Sequence, residues 1–182
     1  MTSTTTENWD ILLFYQYVHI ENPQIFAKEH LKFCKSLGLK GRILVAEEGI
    51  NGTVGGPKIA TEEYMKVMLA DERFATTDFK ISQGRAGTFQ KMFVRARAEL
   101  VTLNIDEKID PHVDGGTYLK PEELKKMYDE NEDFVIVDMR NEYEAAIGRF
   151  KNAVVMKMTV FKELPQLVEN LKIDKNKKVV TY

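Results

Sequence analysis

The segment "GRILVAEEGINGTVGGP", residues 41–57, limits the fold of the first hundred residues more than any other. It reads as a strand, a turn of glycine and asparagine, and a short partner strand, which together make a hairpin. Helical patterns flank it on both sides. Upstream, "NPQIFAKEHLKFCKSLGLKG" sets Phe26, His30, Phe33 and Leu37 at helical spacing. Asn22 suits the N-cap there, Pro23 the first helical position and Gly38 the stop. Downstream, "IATEEYMKVMLADERF" is a second amphipathic helix. "ILLFYQYVHI" before the first helix predicts a largely buried strand, and "TTDFKISQG" after the second predicts another.

The resulting order, β-α-β-β-α-β, is that of a split βαβ, ferredoxin-like sandwich of the α+β class. "FQKMFVRARAELVTLNID" then reads as one long strand-like bridge. Residues 11–104 are expected to form this N-terminal domain with its bridging strand, after a disordered tail at 1–10. Residues 105–118 read as a linker, broken by Asp110, Pro111, Asp114, Gly115 and Gly116. Residues 119–182 change pattern. A helix started by Pro121 precedes the apolar strand "DFVIVDMR", the helix "NEYEAAIGRF", a short strand "AVVMKM", a helix around "VFKELPQLVENL" and the terminal "KKVVTY". Short apolar strands alternating with helices predict an α/β domain, a parallel sheet covered on both faces.

Composition excludes several classes. With 43% hydrophobic and 30% charged residues, the chain suits a packed core rather than disorder. A net charge of -2 argues against a wholly basic nucleic-acid binder but allows a local basic strip. The single cysteine, Cys34, permits no internal disulfide and fits a reducing compartment. No apolar run approaches the ~18 residues of a membrane span, and "MTSTTTENWD" has no apolar signal segment. The expected setting is cytoplasmic, with no membrane partner.

The chemistry concentrates in "VIVDMRNEYEAAIGRFKNAV". Asp138 and Arg140 fall where a buried parallel strand emerges at its C-terminal end, the edge on which such folds place their sites. Glu144 falls on the next helix, and Gly148 closes it. A structural Asp–Arg pair closing the strand end is the alternative reading of these residues. In "FVRARAELV", alternation sets Phe93, Arg95, Arg97 and Glu99 on one face, opposite Val94, Ala96, Ala98 and Leu100. Two arginines and an aromatic ring on one face suit RNA phosphates and bases, as well as an ordinary solvated face. Arg85 and Lys91 extend the basic strip.

The remaining candidates read more plainly. "EEGINGTVGG" could cradle a phosphate but lacks a P-loop ending, so a hairpin turn is the better reading. His112 and Asp114 are two candidate ligands without a third, and no metal site is expected. His19 and His30 read as surface or helix-face residues, and Cys34 as a core residue beside Phe33 and Leu37. The carboxylate clusters read as solvated helix faces.

The "VDMRNEYEAAIGRFKNA" stretch resembles the rhodanese signature, keeping Asp138, Arg140, Glu144, Gly148 and Ala153 in register. It departs at Arg149, usually His, at Phe150, usually Ile, and at Asn152, usually Gly. Together with "EEGINGTVGG", "FVRARAELVTL" and "GTYLKPEEL", it is similar to the rhodanese-domain-containing tRNA uridine hydroxylases of bacteria, from about Leu12 to Tyr182. That resemblance implies conversion of the wobble uridine of tRNA to 5-hydroxyuridine, with tRNA as partner and molecular oxygen as co-substrate. It implies that Asp138, Arg140 and Glu144 brace the site. It also implies a reactive cysteine directly after a Val-x-Tyr strand end such as "VTY". On this reading the chain holds no catalytic residue, its rhodanese domain is incomplete at the C-terminus, and residues 1–182 alone are expected to be inactive. No cofactor is identifiable, since neither a dinucleotide fingerprint nor facial-triad spacing occurs, and no protein partner is identifiable. A rhodanese-type sulfurtransferase and a non-catalytic rhodanese-like binding module remain alternatives.

Overall fold

The computed structural model describes residues 8–100, 115–174 and 176–182. They fall into two compact units that divide between Leu100 and Val101.

The first unit contains β1 (Trp9–Tyr17), α1 (Pro23–Ser36), β2 (Lys40–Ala46), β3 (Gly49–Pro57), α2 (Lys58–Ala70), β4 (Lys80–Gln83) and β5 (Met92–Ala96). The sheet order is β4-β1-β3-β2-β5. β3 lies between β1 and β2 and runs antiparallel to both, so the crossover through α1 joins two parallel strands split by a third. This is the ferredoxin-like arrangement that the order of segments predicts.

Asn22 caps α1 as expected, its side-chain oxygen accepting from the Ile25 N–H at 3.1 Å. Pro23 opens the helix, and Gly38 follows it with φ 71°. The buried residues of α1 and α2, among them Ala27, Cys34, Tyr64 and Met68, pack with Leu12, Phe14, Ile43, Val45 and Val54 from the strands. Both helices therefore lie over one face of the sheet. His30 is buried on that side, where its Nε2 hydrogen-bonds with Tyr64 Oη at 2.9 Å and ties α1 to α2. Cys34 is fully enclosed in the same core, and burial pushes its thiol up to about 12.

Four expectations need correction. β1 begins at Trp9 and is only partly buried: Leu12 and Phe14 point to the core, while on the opposite face Trp9 is covered but Leu13 is 49% and Tyr15 67% exposed. The hairpin turns at Glu47–Glu48, since Ala46 pairs with Gly49, and the glycines and Asn51 lie inside a nine-residue β3. Neither glutamate has positive φ; that geometry falls on Gly49 at 145°, where an added Cβ would stand 2.1 Å from the Gln16 carbonyl oxygen. The predicted bridge is in fact β5, five residues long and parallel to β2, an edge strand of the same sheet. Those residues pair with β2 in register, and Lys91 and Arg97 on either side add one backbone bond each to β2, through Gly41 and Val45; residues 101–106 of the predicted bridge lie outside the described residues. His30 belongs to the core rather than to the surface.

The second unit contains α3 (Pro121–Asp129), β6 (Phe134–Asp138), α4 (Glu142–Ile147), β7 (Val154–Val155), α5 (Leu164–Glu169) and β8 (Lys178–Thr181). Its sheet, β7-β6-β8, is parallel throughout, as expected. Val137 packs with Met156, Met158 and Leu164, whereas Ile136, its neighbour on the opposite face, lines a cavity with Met127 and Tyr128 of α3. Covered on both sides, β6 can be apolar along its length.

Burial lowers the pKa of His30 to about 4. The unfolded chain, at an ordinary value near 6.5, binds the proton first. The stability that neutral His30 contributes is therefore complete above about pH 6.5 and is lost as pH falls towards 4. The expected loss is about 3 kcal/mol across that window. His30→Gln should remove the slope between about pH 6.5 and 5, measured by denaturant unfolding at a series of pH values.

Candidate active site

β6 and β8 run parallel with Val137 opposite Thr181, so their C-terminal ends deliver Asp138 and Tyr182 side by side. The backbone continues the ladder there, with Tyr182 N–H donating to Val137 O at 3.3 Å and Met139 N–H to Tyr182 O at 3.0 Å. Asp138 is 0% exposed. A carboxylate in that position must be fully partnered, and its donors are close at hand. Arg140 grips it with Nε to Oδ1 at 2.9 Å and Nη2 to Oδ2 at 2.7 Å, and its backbone N–H adds 3.1 Å to Oδ1. The Tyr182 hydroxyl donates to Oδ2 at 2.7 Å. The Arg140 side-chain bonds above all, with the tyrosine hydroxyl second among the favourable partners, hold the Asp138 carboxyl down at about 2.

Arg140 spans further. Its Nη2 also donates to the Gly148 carbonyl at 2.7 Å, at the end of α4, and its guanidinium lies 5.0 Å from the centre of the Tyr182 ring. Tyr182 in turn accepts from the Phe150 N–H at 3.2 Å and meets the Phe150 ring edge-on at 4.8 Å. Asp138, Arg140, Gly148, Phe150 and Tyr182 thus form one connected group at the strand ends. Its donors and acceptors bind one another, so it shapes and stiffens the sheet edge and offers no free nucleophile.

Glu144 has a separate task. Its carboxylate accepts from the Asn141 backbone N–H at 3.2 Å and from Asn141 Nδ2 at 3.1 Å, which fixes the start of α4. No contact joins Glu144 to Asp138 or Arg140 in this network. Tyr182 belongs to the site although the sequence marks it only as a strand end; the parallel register with β6 is what brings it there. Asn152 takes φ 63°, the left-handed region that glycine and asparagine tolerate, which accounts for the exchange of one for the other at this position.

In the first unit, Phe93, Arg95 and Arg97 are all exposed, with the Arg95 guanidinium 5.3 Å from the centre of the Phe93 ring. Arg97 continues past β5, its N–H donating to Val45 O at 2.8 Å. Lys91 stands exposed just before β5, and Arg85 lines a shallow cavity with Trp9, Ile11 and Thr88. Ala98 is exposed, unlike Val94 and Leu100, because strand alternation stops with β5. Among the described residues, no group of three or more His, Cys, Asp or Glu side chains could hold a metal, and no helix is long and apolar enough to cross a membrane. His112 and Asp114 lie outside the described residues.

Because Asp138 is wholly buried, removing its cation should cost more than removing both partners. Arg140→Ala is expected to destabilise the second unit by more than the loss of an exposed surface ion pair would. Adding Asp138→Asn should recover part of that loss, a non-additivity readable in urea unfolding as a double-mutant cycle.

Residues 9–100 match the UPF0176 acylphosphatase like domain, and residues 120–182 match the rhodanese-like domain. Similar curated proteins carry the name tRNA uridine(34) hydroxylase. That of Enterococcus faecalis is 53% identical over 96% of this chain and 55% of its own length. That of Bacillus licheniformis is 49% identical over 94% of this chain and 53% of its own, and one from Staphylococcus aureus is 48% identical over 96% and 55%. The chain spans about half the length of the curated relatives it matches. With the family match covering half the sequence, the chain belongs to the family of the UPF0176 acylphosphatase like domain, here followed by a rhodanese-like domain.

Proposed function

We propose that the protein to which these residues belong hydroxylates the wobble uridine of tRNA to 5-hydroxyuridine, with molecular oxygen as co-substrate, in the cytoplasm. The observation that carries this reading is the 53% identity, over 96% of the chain, to a tRNA uridine(34) hydroxylase. The network at the ends of β6 and β8 supports it. Asp138, Arg140 and Tyr182 lie on the edge of a parallel sheet where such folds place their chemistry, and they are locked to one another. Their part is to hold the adjoining backbone in place for a reactive group; they are positioning residues. Glu144 contributes by fixing the start of α4. Arg85, Lys91, Phe93, Arg95 and Arg97 contact the RNA.

The direct test incubates the whole protein with unmodified tRNA and oxygen and looks by mass spectrometry for one added oxygen atom at the wobble uridine. Sulfur transfer from thiosulfate without that product would favour the sulfurtransferase alternative. Tyr182→Phe, which keeps the ring and removes the hydroxyl bonds to Asp138 and Phe150, should lower kcat several-fold and leave tRNA affinity unchanged.

Replacing Arg95 and Arg97 with Ala should act in the opposite sense. Binding is expected to weaken, and the slope of log affinity against log salt to flatten by roughly 0.7–0.9 for each phosphate that is no longer neutralised. Lys125→Ala on α3, whose side chain pairs with Asp129 at 2.6 Å, should leave both quantities unchanged.

A further inference from the structure

Both helices cover one face of the first unit's sheet; on the other face Trp9 is buried beside Gly55 and Phe89, whereas Tyr15, Arg42, Phe93 and Arg95 are exposed, and the strand registers assign its residues. One row crosses four strands through Leu13, Thr53, Arg42 and Phe93. The next row runs through Tyr15, Asn51, Leu44 and Arg95. Directly opposed residues on neighbouring strands share a face, with Cβ atoms about 5 Å apart. Lys40 on β2 and Lys80 on β4 belong to the same face, Lys80 paired there with Asp78. Tyr15 is 67% and Phe93 37% exposed, and Arg42 and Arg95 are exposed between and beside them.

The composition of this face is one-sided. No strand residue on it is Asp or Glu, although the whole chain has 28 acidic residues against 26 basic. Glu48 and Glu99 lie outside the strands, and Glu48 is engaged by the Leu100 N–H at 2.6 Å. A solvated face on a chain of net charge -2 would mix both signs. This one sets two exposed rings, Tyr15 and Phe93, on the same surface as the cations Arg42 and Arg95, with Thr53, Asn51 and Leu44 among them. Each ring can stack on a base of any identity, and each cation can neutralise a phosphate.

We infer that the open face of the β4-β1-β3-β2-β5 sheet is a platform for unpaired RNA, with Tyr15 and Phe93 stacking on bases and Arg42, Arg95 and Lys40 holding the backbone. The inference rests on the RNA reading above and extends it from the β5 strip to the whole sheet. It also sets the substrate class: single-stranded nucleotides, as in a loop, rather than a duplex. Stacked bases are sealed inside a duplex, whereas an open platform needs them splayed out.

The test uses the 182-residue chain and a labelled, unstructured RNA of about ten nucleotides, with an RNA duplex of matched composition as comparison. The chain should bind the unpaired RNA more tightly. Tyr15→Ala and Phe93→Ala should each weaken that binding by about fivefold to a hundredfold. Tyr15→Phe, which keeps the ring, should bind like the parent. Arg42→Ala should weaken binding and flatten the salt slope by about 0.7. Thermal melts check that each variant is folded, and all the substituted sites are surface positions.

Parental affinity in folded Tyr15→Ala, Phe93→Ala and Arg42→Ala variants would overturn the platform, as would no RNA binding or equal affinity for the duplex. So would self-association through this face that RNA does not displace, which would assign it to a second copy of the chain. The two readings fail separately. If the whole protein forms no hydroxyuridine while these variants no longer bind RNA, the platform stands and the reaction falls. If it modifies tRNA and the variants leave KM and RNA affinity unchanged, the reaction stands and the platform falls.

Discussion

A carboxylate with no access to water dictates the construction of the second unit. Asp138 is held at the end of β6, and leaving it unpaired there would be costly in proportion to its full charge. The surrounding chain is arranged to prevent this. β8 must run parallel to β6 in one register for the Tyr182 hydroxyl to arrive, and α4 must end where the Gly148 carbonyl can share Arg140. A slip of one residue in β8 would turn the tyrosine to the opposite face of the sheet. The ion pair therefore specifies register as well as contributing stability, which is the better-attested use of a buried charge.

The first unit is organised by asymmetry instead of charge. Two helices on one side leave the other side of a five-stranded sheet to be defined by its own side chains. The crowded side accepts little variation: a Cβ at Gly52 would come within 2.7 Å of the Phe14 ring and 2.9 Å of Ile43. Its core joins Phe14, Phe33 and Tyr64 ring to ring, with Tyr64 reaching across to His30. The open side carries exposed rings that packing does not require. Leu13 sits between two core residues in sequence and Tyr15 follows one, and yet both face solvent.

Much of this was legible in the sequence. Asn22, Pro23 and Gly38 mark α1 because capping chemistry is local, and the apolar run of β6 marks a strand buried on both faces. The order of segments was sufficient for the split topology. What escaped depended on partners distant in sequence. Glycines at 49 and 52 resemble turn residues, but they serve close approach within β3, and the residues that crowd them come from β1 and β2. The apolar run at 11–15 hides an alternation that only the one-sided helix layer reveals. In the candidate site, Asp138 and Arg140 were visible from their place at a strand end. Tyr182 was not, since its role arises from a parallel register and from no motif. His30, placed on a helix stripe but not assigned to the core, needed Tyr64, 34 positions later, to complete its hydrogen bond.

Cys34 is the one thiol in this chain, and it sits at the centre of the first unit with no surface exposed to solvent. Thiol reagents need both access and a thiolate, and burial denies them both. Alkylation of Cys34 therefore has to wait for the α1 side of the sheet to open, so its rate reads out that opening without any engineered label. In denaturant, the same atom separates events in the first unit from those in the second, which contributes no competing sulfhydryl in these 182 residues. A buried core residue is thus a built-in clock for the breathing of one half of the molecule.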